Sequence, residues 1–494
     1  MYTLGFDIGS SAVKAVLMNC EIGTIAGSAT SPEREMEINA LNPGWAEQLP
    51  EDWWTNIREA SRKLLEQNPA AMKAVKAVGI TYQMHGLVLV DENKNVLRPS
   101  IIWCDSRAAE IGHKAAEQLG ERYCLFEFLN SPGNFTASKL RWVQTNEPDT
   151  FEKIFRVMLP GDYVAMKMTG DITTTKTGLS EGILWNFRKN SLATELLDHW
   201  NIPQGLIPEV VPEFGRQGKV SNQASSQLGI PENIPVSYRA GDQPNNAFSL
   251  NVLHPGEVAA TAGTSGVVYG VMDKPAYDPH SRVNTFVHVN HTTTRNRLGV
   301  LLCVNGTGIL NSWIRKNMFP DLDFPEMNKL ASEVGPGADG VMVFPYGNGS
   351  ERSLMNREPG VSFHGLSLNR HDRRHLLRAA QEGIVFALAY GMEIMNDMGV
   401  KTENIKAGHA NMFLSPVFRD AFVQTTGATL SLYKTNGAEG AARGAAVGAG
   451  IHAGFEEAFE HLQLLKEESP ISDRREAYLK SYNRWKEKLS TIIS

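Results

Sequence analysis

The sequence has few cysteines, no long apolar run and no excess of basic charge, and each absence excludes a class of protein. Four cysteines in 494 residues are too few and too scattered for a disulfide scaffold or a paired-cysteine zinc site. No window approaches the roughly 18 consecutive apolar residues of a membrane helix. The net charge of −6 offers no basic surface for nucleic acid. With no signal peptide at the N-terminus, we expect a cytoplasmic protein with no membrane or nucleic-acid partner.

The length and the alternation of apolar segments indicate a two-domain α/β protein. A chain of 494 residues exceeds what one hydrophobic core usually supports. Short β-branched runs alternate with longer helical patterns, which is typical of α/β folds. Helical periodicity is clearest over residues 376–398, and the tail from Pro470 reads as a charged helix with Tyr478, Tyr482 and Trp485 as its packing stripe.

One sequence pattern occurs near the start of each half. Phe6-Asp-Ile-Gly-Ser-Ser-Ala-Val is echoed about 250 residues later by Ala260-Thr-Ala-Gly-Thr-Ser-Gly-Val. Both predict a strand, a turn of glycine and hydroxyl residues, and a second strand. The repeat suggests two related domains with a boundary near 245–255, where His254-Pro-Gly supplies a chain break.

A turn of glycine and small hydroxyl residues offers backbone N–H groups and hydroxyls to phosphate oxygens. Ser10 and Ser11 lie in the first such turn and Thr264 in the second. An ordinary hairpin turn is the simpler interpretation of either one alone, whereas the pair favours nucleotide binding. Asp7 precedes the first turn and is a candidate Mg²⁺ ligand, since Mg²⁺ is usually held by one or two carboxylates with waters and phosphates.

The usual nucleotide motifs are missing. The only Gly-Lys pair, Gly218-Lys219, is followed by valine, so there is no P-loop. A formal GxGxxG begins at Gly335, but it precedes a predicted strand instead of following one, so the dinucleotide interpretation fails.

Asp242 follows a predicted strand at 236–240 and begins a predicted helix. It suits a helix N-cap. It also suits a general base at the carboxyl end of a strand, where ligands of α/β proteins collect. Both roles are compatible, and the sequence leaves both open.

A second strand ends in Gln83-Met84-His85-Gly86. A lone histidine is more often structural, although an imidazole there can bond a sugar hydroxyl while Met84 covers an apolar face. Trp103 is either a core residue or the flat wall of a sugar pocket.

Taken together, these residues resemble the FGGY carbohydrate kinases over nearly the whole chain. The segments that carry the resemblance share the family's order and spacing: Asp7–Lys14, Asn42–Gln48, Gln83–Gly86, Leu97–Asp105, Phe135–Lys139, Gly241-Asp242, Gly263–Gly266 and Ser415–Arg419. Met84-His85-Gly86 resembles the members that phosphorylate D-xylulose, where glycerol-phosphorylating members carry a charged pair.

The resemblance implies a duplicated actin-like, ribonuclease H-like fold, with a sugar-binding domain over 1–250 and a nucleotide-binding domain over 251–494. It also implies ATP and Mg²⁺ as cofactors, a small sugar as substrate, and transfer of the ATP γ-phosphoryl to the terminal hydroxyl of D-xylulose. A homodimer is a further possibility that the sequence leaves undecided. The implied roles are the base for Asp242, sugar contacts for Met84, His85, Trp103, Asp242 and Gln243, ATP contacts for Ser10, Ser11, Thr264, Gly308, Gly408 and Asn411, and the metal for Asp7.

Two departures from the family pattern leave alternatives. Gln243 stands where many D-xylulose-phosphorylating members have asparagine, so another ketose or a polyol is an alternative substrate. The segment 407–416 departs from the family's glycine-rich signature around the adenine. A sugar or nucleotide sensor without catalysis is the alternative from a different class, and the intact Asp7 and Asp242 argue against it.

Overall fold

The computed structural model describes all 494 residues and divides into two compact units. The first unit comprises Met1–Asn251, Phe286–Arg295 and Thr435–Leu462. The second comprises Val252–Thr285, Asn296–Lys434 and Gln463–Ser494. The chain therefore crosses between units more than once, whereas the sequence predicts a single boundary at 250/251.

The secondary structure alternates strands and helices along the whole chain. The strands are β1 Tyr2–Ile8, β2 Val13–Asn19, β3 Thr24–Ser31, β4 Glu47–Gln48, β5 Val75–Tyr82, β6 Val88–Val90, β7 Ser100–Ile101, β8 Arg156–Met158, β9 Thr173–Thr175, β10 Trp185–Asn186, β11 Ser191–Leu192, β12 Glu209–Val211, β13 Val236–Gly241, β14 Val258–Ala262, β15 Gly266–Met272, β16 Asn284–Val287, β17 Leu298–Val304, β18 Met342–Tyr346, β19 Gly360–His364, β20 Asn404–Gly408, β21 Thr429–Tyr433 and β22 Leu464–Glu468.

The α-helices are α1 Pro50–Gln67, α2 Pro69–Lys73, α3 Ala109–Leu119, α4 Glu121–Phe128, α5 Thr136–Asn146, α6 Pro148–Phe151, α7 Pro160–Thr169, α8 Lys176–Glu181, α9 Thr194–His199, α10 Asn222–Leu228, α11 Asp242–Ser249, α12 Gly308–Asn317, α13 Phe324–Ser332, α14 Arg373–Asp397, α15 Pro416–Thr426, α16 Gly437–Gly448, α17 Phe455–Phe459 and α18 Ser472–Ile493. No helix is both long and apolar enough to span a membrane.

The first unit is built on a five-stranded sheet in the order β13-β5-β1-β2-β3. The strands β1, β2 and β3 form an antiparallel meander, while β5 and β13 add in parallel beyond β1. Helices cover both faces of this sheet. Leu4, Phe6 and Ile8 are fully buried on one face of β1, while Thr3 and Gly5 face a helix on the other.

The sheet of the second unit repeats this arrangement. Its strands run β17-β15-β14-β20-β21-β22, with β16 beyond β17. Again three antiparallel strands are followed by two parallel ones, with β14 in the place of β1. The echo at 6–13 and 260–267 therefore marks the same hairpin in two copies of one fold, which confirms the predicted duplicated α/β architecture.

Helix α16 packs on the sheet of the first unit although it lies near the end of the chain. The Thr3 hydroxyl donates to the carbonyl of Ala442, 2.9 Å away. Gly5 and Gly79 face the helix, and a Cβ at either position would collide with its main-chain carbonyl groups. This close approach explains why residues 435–462 belong to the first unit. The local sequence pattern did not predict this assignment.

The long and terminal helices of the second unit follow the predicted patterns. Helix α14 covers the predicted 376–398 segment to within a few residues. Helix α18 buries Tyr478, Tyr482 and Trp485, as predicted, and the Trp485 indole donates to the Val343 carbonyl at 2.9 Å.

The close packing of α16 predicts that Gly79→Ala destabilises the protein. Its Cβ would meet the Ala441 main chain, and overpacking of this kind costs about 1–3 kcal/mol or more. Gly205→Ala is the matched control, because no atom lies within 4 Å of a Cβ there. Urea unfolding of the two variants measures the difference, and equal midpoints would contradict the packing account.

Candidate active site

The candidate residues of the first unit lie where three neighbouring parallel strands end. Asp7 is the next-to-last residue of β1, Gln83 follows β5, and Asp242 follows β13. The strands β13, β5 and β1 are adjacent in the sheet, with Gly241 opposite Tyr82. Their carboxyl ends meet at one edge, the usual ligand-binding edge of α/β sheets.

Asp242 is the first residue of α11, and the N-cap is Gly241, whose backbone is extended. The predicted N-cap role of Asp242 is therefore wrong by one position. No side chain caps this helix, so the carboxylate of Asp242 stays available for other contacts.

Asp7 and Asp242 form an interacting pair of carboxylates. Burial and then the negative charge of Asp7 raise the pKa of Asp242 to about 7. Burial also raises the pKa of Asp7, and the positive charge of Lys14 opposes this increase. A carboxyl group with a pKa near neutral pH suits a general base.

The N-terminus of α16 closes over Asp7. A Cβ on Gly437 would lie 2.6 Å from Asp7 Oδ2 and 3.3 Å from Asn246 Oδ1. Only glycine fits here without displacing the carboxylate. The positive end of the helix dipole faces Asp7 and favours its ionised form.

The residues around Asp7 fit a magnesium ion. No group of three or more histidine, cysteine or acidic side chains is arranged to hold a metal ion. Mg²⁺ does not require such a group, because it commonly takes one or two carboxylates and completes its shell with waters and phosphates. A pair of carboxylates with raised pKa values is also what a cation would stabilise in the ionised form.

The first hairpin turn is fixed by contacts to its carbonyl groups. Gly9 N–H donates to the Ala12 carbonyl at 3.0 Å. The Ser10 carbonyl accepts from Gln48 Nε2 at 2.7 Å, and the Ser11 carbonyl accepts from Met36 N–H at 2.8 Å. The turn is thus rigid, with the Ser11 side chain exposed.

Trp103 lies beside this turn. Its indole N–H donates to the Ser10 hydroxyl at 3.4 Å, and the side chain is 45% exposed. The core alternative for Trp103 is therefore wrong, and its ring is accessible to a ligand. Gln243 is also partly exposed, one residue after Asp242.

Met84 and His85 form the turn after β5. Met84 is 4% exposed and packs on Gly241, where a Cβ would lie 2.6 Å from Met84 Cγ. His85 has a positive φ of 61°, which is uncommon for a residue with a side chain. Its Nδ1 lies 2.9 Å from the carbonyl oxygen of Glu181. Since a carbonyl only accepts, Nδ1 carries the proton and Nε2 is the acceptor of the neutral ring.

Lys139 holds the same turn from another side. Its Nζ donates to the carbonyl of His85 at 2.8 Å and to that of Ile102 at 2.9 Å. Burial lowers the pKa of Lys139 to about 7, against the opposing charge of Asp105. One buried amine therefore links the backbone before Trp103 to the backbone at His85.

The predicted nucleotide residues of the second unit also come together. Gly308 N–H donates to the Gly263 carbonyl at 2.8 Å, and Ile309 N–H donates to the Thr264 carbonyl at 3.2 Å. A Cβ on Gly263 would lie 3.5 Å from Asn411 Nδ2. The second hairpin turn is therefore bound to the N-terminus of α12.

Gly408 lies at the same edge of this sheet. It is the last residue of β20, which pairs in parallel with β14, the strand that leads into Gly263. Thr264, Gly308, Gly408 and Asn411 thus line one region of the second unit, at the carboxyl ends of parallel strands.

Two residues that contact the site have no role in the sequence prediction. Lys139 falls inside a recognised segment, but nothing in the sequence indicates that its amine binds His85. Glu181 lies 96 residues from its partner His85 and carries no motif signal.

The duplicated α/β sheet, with a glycine-hydroxyl hairpin in each copy, matches the two-domain fold of actin-like ATPase kinases. Two family models match: the N-terminal domain of the FGGY family of carbohydrate kinases over residues 2–249, and its C-terminal domain over 258–453. The chain belongs to the FGGY family and is an ATP-dependent sugar kinase.

Similar proteins include several named xylulose kinase. The Escherichia coli K12 protein is 29% identical over 442 residues, covering 89% of this chain and 87% of its own. The Lactococcus lactis protein is 28% identical, covering 82% and 78%. A crystal structure of xylulose kinase from Rhodospirillum rubrum superposes with a TM-score of 0.88 at 25% identity, covering 100% of this chain and 99% of that one.

The carboxylate pair predicts that Asp7→Asn stabilises the fold at alkaline pH. A folded pKa raised above the unfolded value means that folding takes up protons, so stability falls as pH rises from about 4 through the folded pKa values. Asparagine removes one buried charge and its repulsion of Asp242. We expect the free energy of unfolding of Asp7→Asn to exceed that of wild type by on the order of 1 kcal/mol at pH 8, and we expect this difference to decrease toward pH 4.

Thermal unfolding of wild type and Asp7→Asn across this pH range measures the effect. A variant less stable than wild type at pH 8, or a difference that does not change with pH, would contradict the interaction between the carboxylates.

Proposed function

We propose that the protein phosphorylates D-xylulose on its terminal hydroxyl to give D-xylulose 5-phosphate. The observation that supports this most is the contact of Met84 with Gly241, which brings the Met84-His85 turn against the residue before Asp242. A hydroxyl acceptor held by His85 is then near a carboxylate with a pKa of about 7. The similarity to proteins named xylulose kinase supports the same substrate.

In the proposed reaction, Asp242 accepts the proton of the attacking hydroxyl as the γ-phosphoryl of ATP is transferred. The His85 ring, which carries a proton on Nδ1, accepts a hydrogen bond from the sugar at Nε2, and Trp103 covers an apolar face of the sugar. Asp7 would hold Mg²⁺, and the ion would neutralise phosphate charge. Ser10 and Ser11 also contact phosphate oxygens.

The second unit carries the nucleotide in this proposal. Thr264 and the N-terminus of α12 at Gly308 supply hydroxyl and N–H groups for phosphate, since a helix N-terminus favours anions. Gly408 and Asn411 contact the rest of the nucleotide. The proposed division of roles is therefore a sugar-binding N-terminal part and a nucleotide-binding C-terminal part.

Gln243 supports a second candidate, a kinase of the same family with a different ketose or polyol as substrate. Its amide is longer than the asparagine of many D-xylulose-phosphorylating relatives, so the hydroxyl that it bonds is displaced. The cytoplasmic location and the homodimer remain predictions.

Asp242→Asn is expected to lower turnover by roughly 10²–10⁴, the usual contribution of a positioned base. The fold should be retained, because Gly241 and not Asp242 is the N-cap of α11. Coupled measurement of ADP release, with circular dichroism as the folding control, checks both. A variant that keeps more than about a tenth of wild-type turnover would show that Asp242 is not the base.

The polar contacts of His85 predict a strong preference for D-xylulose over glycerol, which is too short to use the whole pocket. A site built to pair with a hydroxyl rejects analogues that lack it. His85→Asn keeps a residue that tolerates positive φ and removes the imidazole. We expect it to cost on the order of 1–3 kcal/mol in kcat/KM for D-xylulose and to leave any glycerol activity unchanged.

ATP consumption across a panel of D-xylulose, other ketoses, glycerol and other polyols checks this specificity. Preference for glycerol by the wild-type protein would mean that Gln243, and not Met84-His85, determines the substrate.

A further inference from the structure

Glu181 is a buried acid that contacts both parts of the acceptor site. It is the last residue of α8 and is 1% exposed. Its Oε1 accepts the His85 backbone N–H at 3.4 Å, and its main-chain oxygen accepts from His85 Nδ1 at 2.9 Å. Two groups of one residue therefore hold both the backbone and the ring of His85.

The other carboxyl oxygen lies against the Asp242 turn. A Cβ on Gly241 would collide with Glu181 Oε2, so this oxygen packs directly on the backbone that precedes Asp242. Oε2 is buried and makes no hydrogen bond of good geometry, although the Tyr82 hydroxyl lies near enough to lower the pKa of the Glu181 carboxyl group. A buried polar atom without a partner is costly, which indicates a constraint other than stability at this position.

The charge environment favours a neutral Glu181. Burial raises the pKa of its carboxyl group well above the ordinary value, and the negative charges of Asp242 and Asp162 add to the increase. The His85 N–H acts in the opposite direction. A neutral carboxyl group has the shape and hydrogen-bonding capacity of an amide, so glutamine is its closest substitute.

We propose that Glu181 is the positioning residue of the acceptor site, which holds the His85 turn at a fixed place against the Gly241-Asp242 turn. The inference rests on the proposed function, because it takes His85 as a sugar contact and Asp242 as the base. Glu181 acts through these two residues and does not itself touch the reacting atoms. Without its side chain, the backbone N–H of His85 loses the Oε1 acceptor and the Gly241-Asp242 turn loses its contact with Oε2, while the main-chain oxygen of residue 181 still accepts from His85 Nδ1.

Three substitutions test this role. Glu181→Gln keeps the shape and the Oε1 acceptor, Glu181→Ala removes the side chain, and Glu181→Met fills the space without an acceptor. Glu213→Ala is the matched control: Glu213 is a buried acid that accepts the Thr177 N–H at 2.9 Å near the other end of α8. It therefore loosens the same helix without removing the contact to His85.

We expect Glu181→Ala and Glu181→Met to raise the KM for the sugar by about tenfold or more and to leave the KM for ATP unchanged. Glu181→Gln should stay within about threefold of wild type in both constants. Glu213→Ala should lower the unfolding temperature with the sugar KM within about threefold of wild type. If Glu181→Ala does not fold, the volume-filling methionine variant decides the test.

Three results would overturn the proposal: a wild-type sugar KM in the alanine and methionine variants, a glutamine variant as impaired as alanine, or an equal rise in sugar KM for Glu213→Ala. The last result would mean that Glu181 only stabilises α8.

The choice of sugar for these assays separates the test of Glu181 from the test of the D-xylulose assignment. Each variant is assayed with whichever sugar the wild-type protein phosphorylates best, and sugar binding without ATP is measured by calorimetry. If the best substrate is another ketose, the D-xylulose assignment is wrong, but the sugar KM values of the Glu181 variants still test the positioning role. If the wild-type protein neither binds nor phosphorylates any sugar of the panel, the proposed function and this inference both fail.

Discussion

The burial of two carboxylates beside each other is the constraint on which the candidate site depends. Asp7 and Asp242 come from different strands, and the parallel pairing of β1, β5 and β13 brings both to one edge. Burial and the negative charge of Asp7 together raise the pKa of Asp242. The result is an aspartate that is half ionised near pH 7, the condition in which a general base works best.

The surrounding residues pack closely against the sheet edge that carries Asp7 and Asp242. Gly437 allows the N-terminus of α16 to approach Asp7, and Gly241 allows Met84 and Glu181 to pack under Asp242. His85 is held in an unusual backbone conformation by Lys139 and Glu181, on separate helices. In the proposed reaction, these two glycines and the contacts of Lys139 and Glu181 fix the positions of the base and the acceptor hydroxyl, as efficient transfer requires.

The sequence predicted what depends on local pattern. The repeated hairpins indicated a duplicated fold, and Asp7, His85 and Asp242 were predicted as site residues because each lies at or shortly after the end of a recognisable strand. Contacts between residues far apart in the sequence could not be predicted from local pattern. Lys139 lies 54 residues from its partner His85, Glu181 lies 96 residues from His85, and Thr3 binds the α16 backbone 439 residues later. The N-cap of α11 was misplaced by one residue, because aspartate and glycine are both acceptable there.

The pH dependence of kcat/KM for the accepted sugar, in wild type and Asp7→Asn, tests the central claim most directly. A base with a raised pKa gives an activity that rises with pH through a midpoint near 7. Removal of the neighbouring charge should move this midpoint to lower pH, even where the loss of Asp7 lowers the activity itself. An unchanged midpoint in Asp7→Asn, or a wild-type profile without an acid limb near neutral pH, would contradict the account.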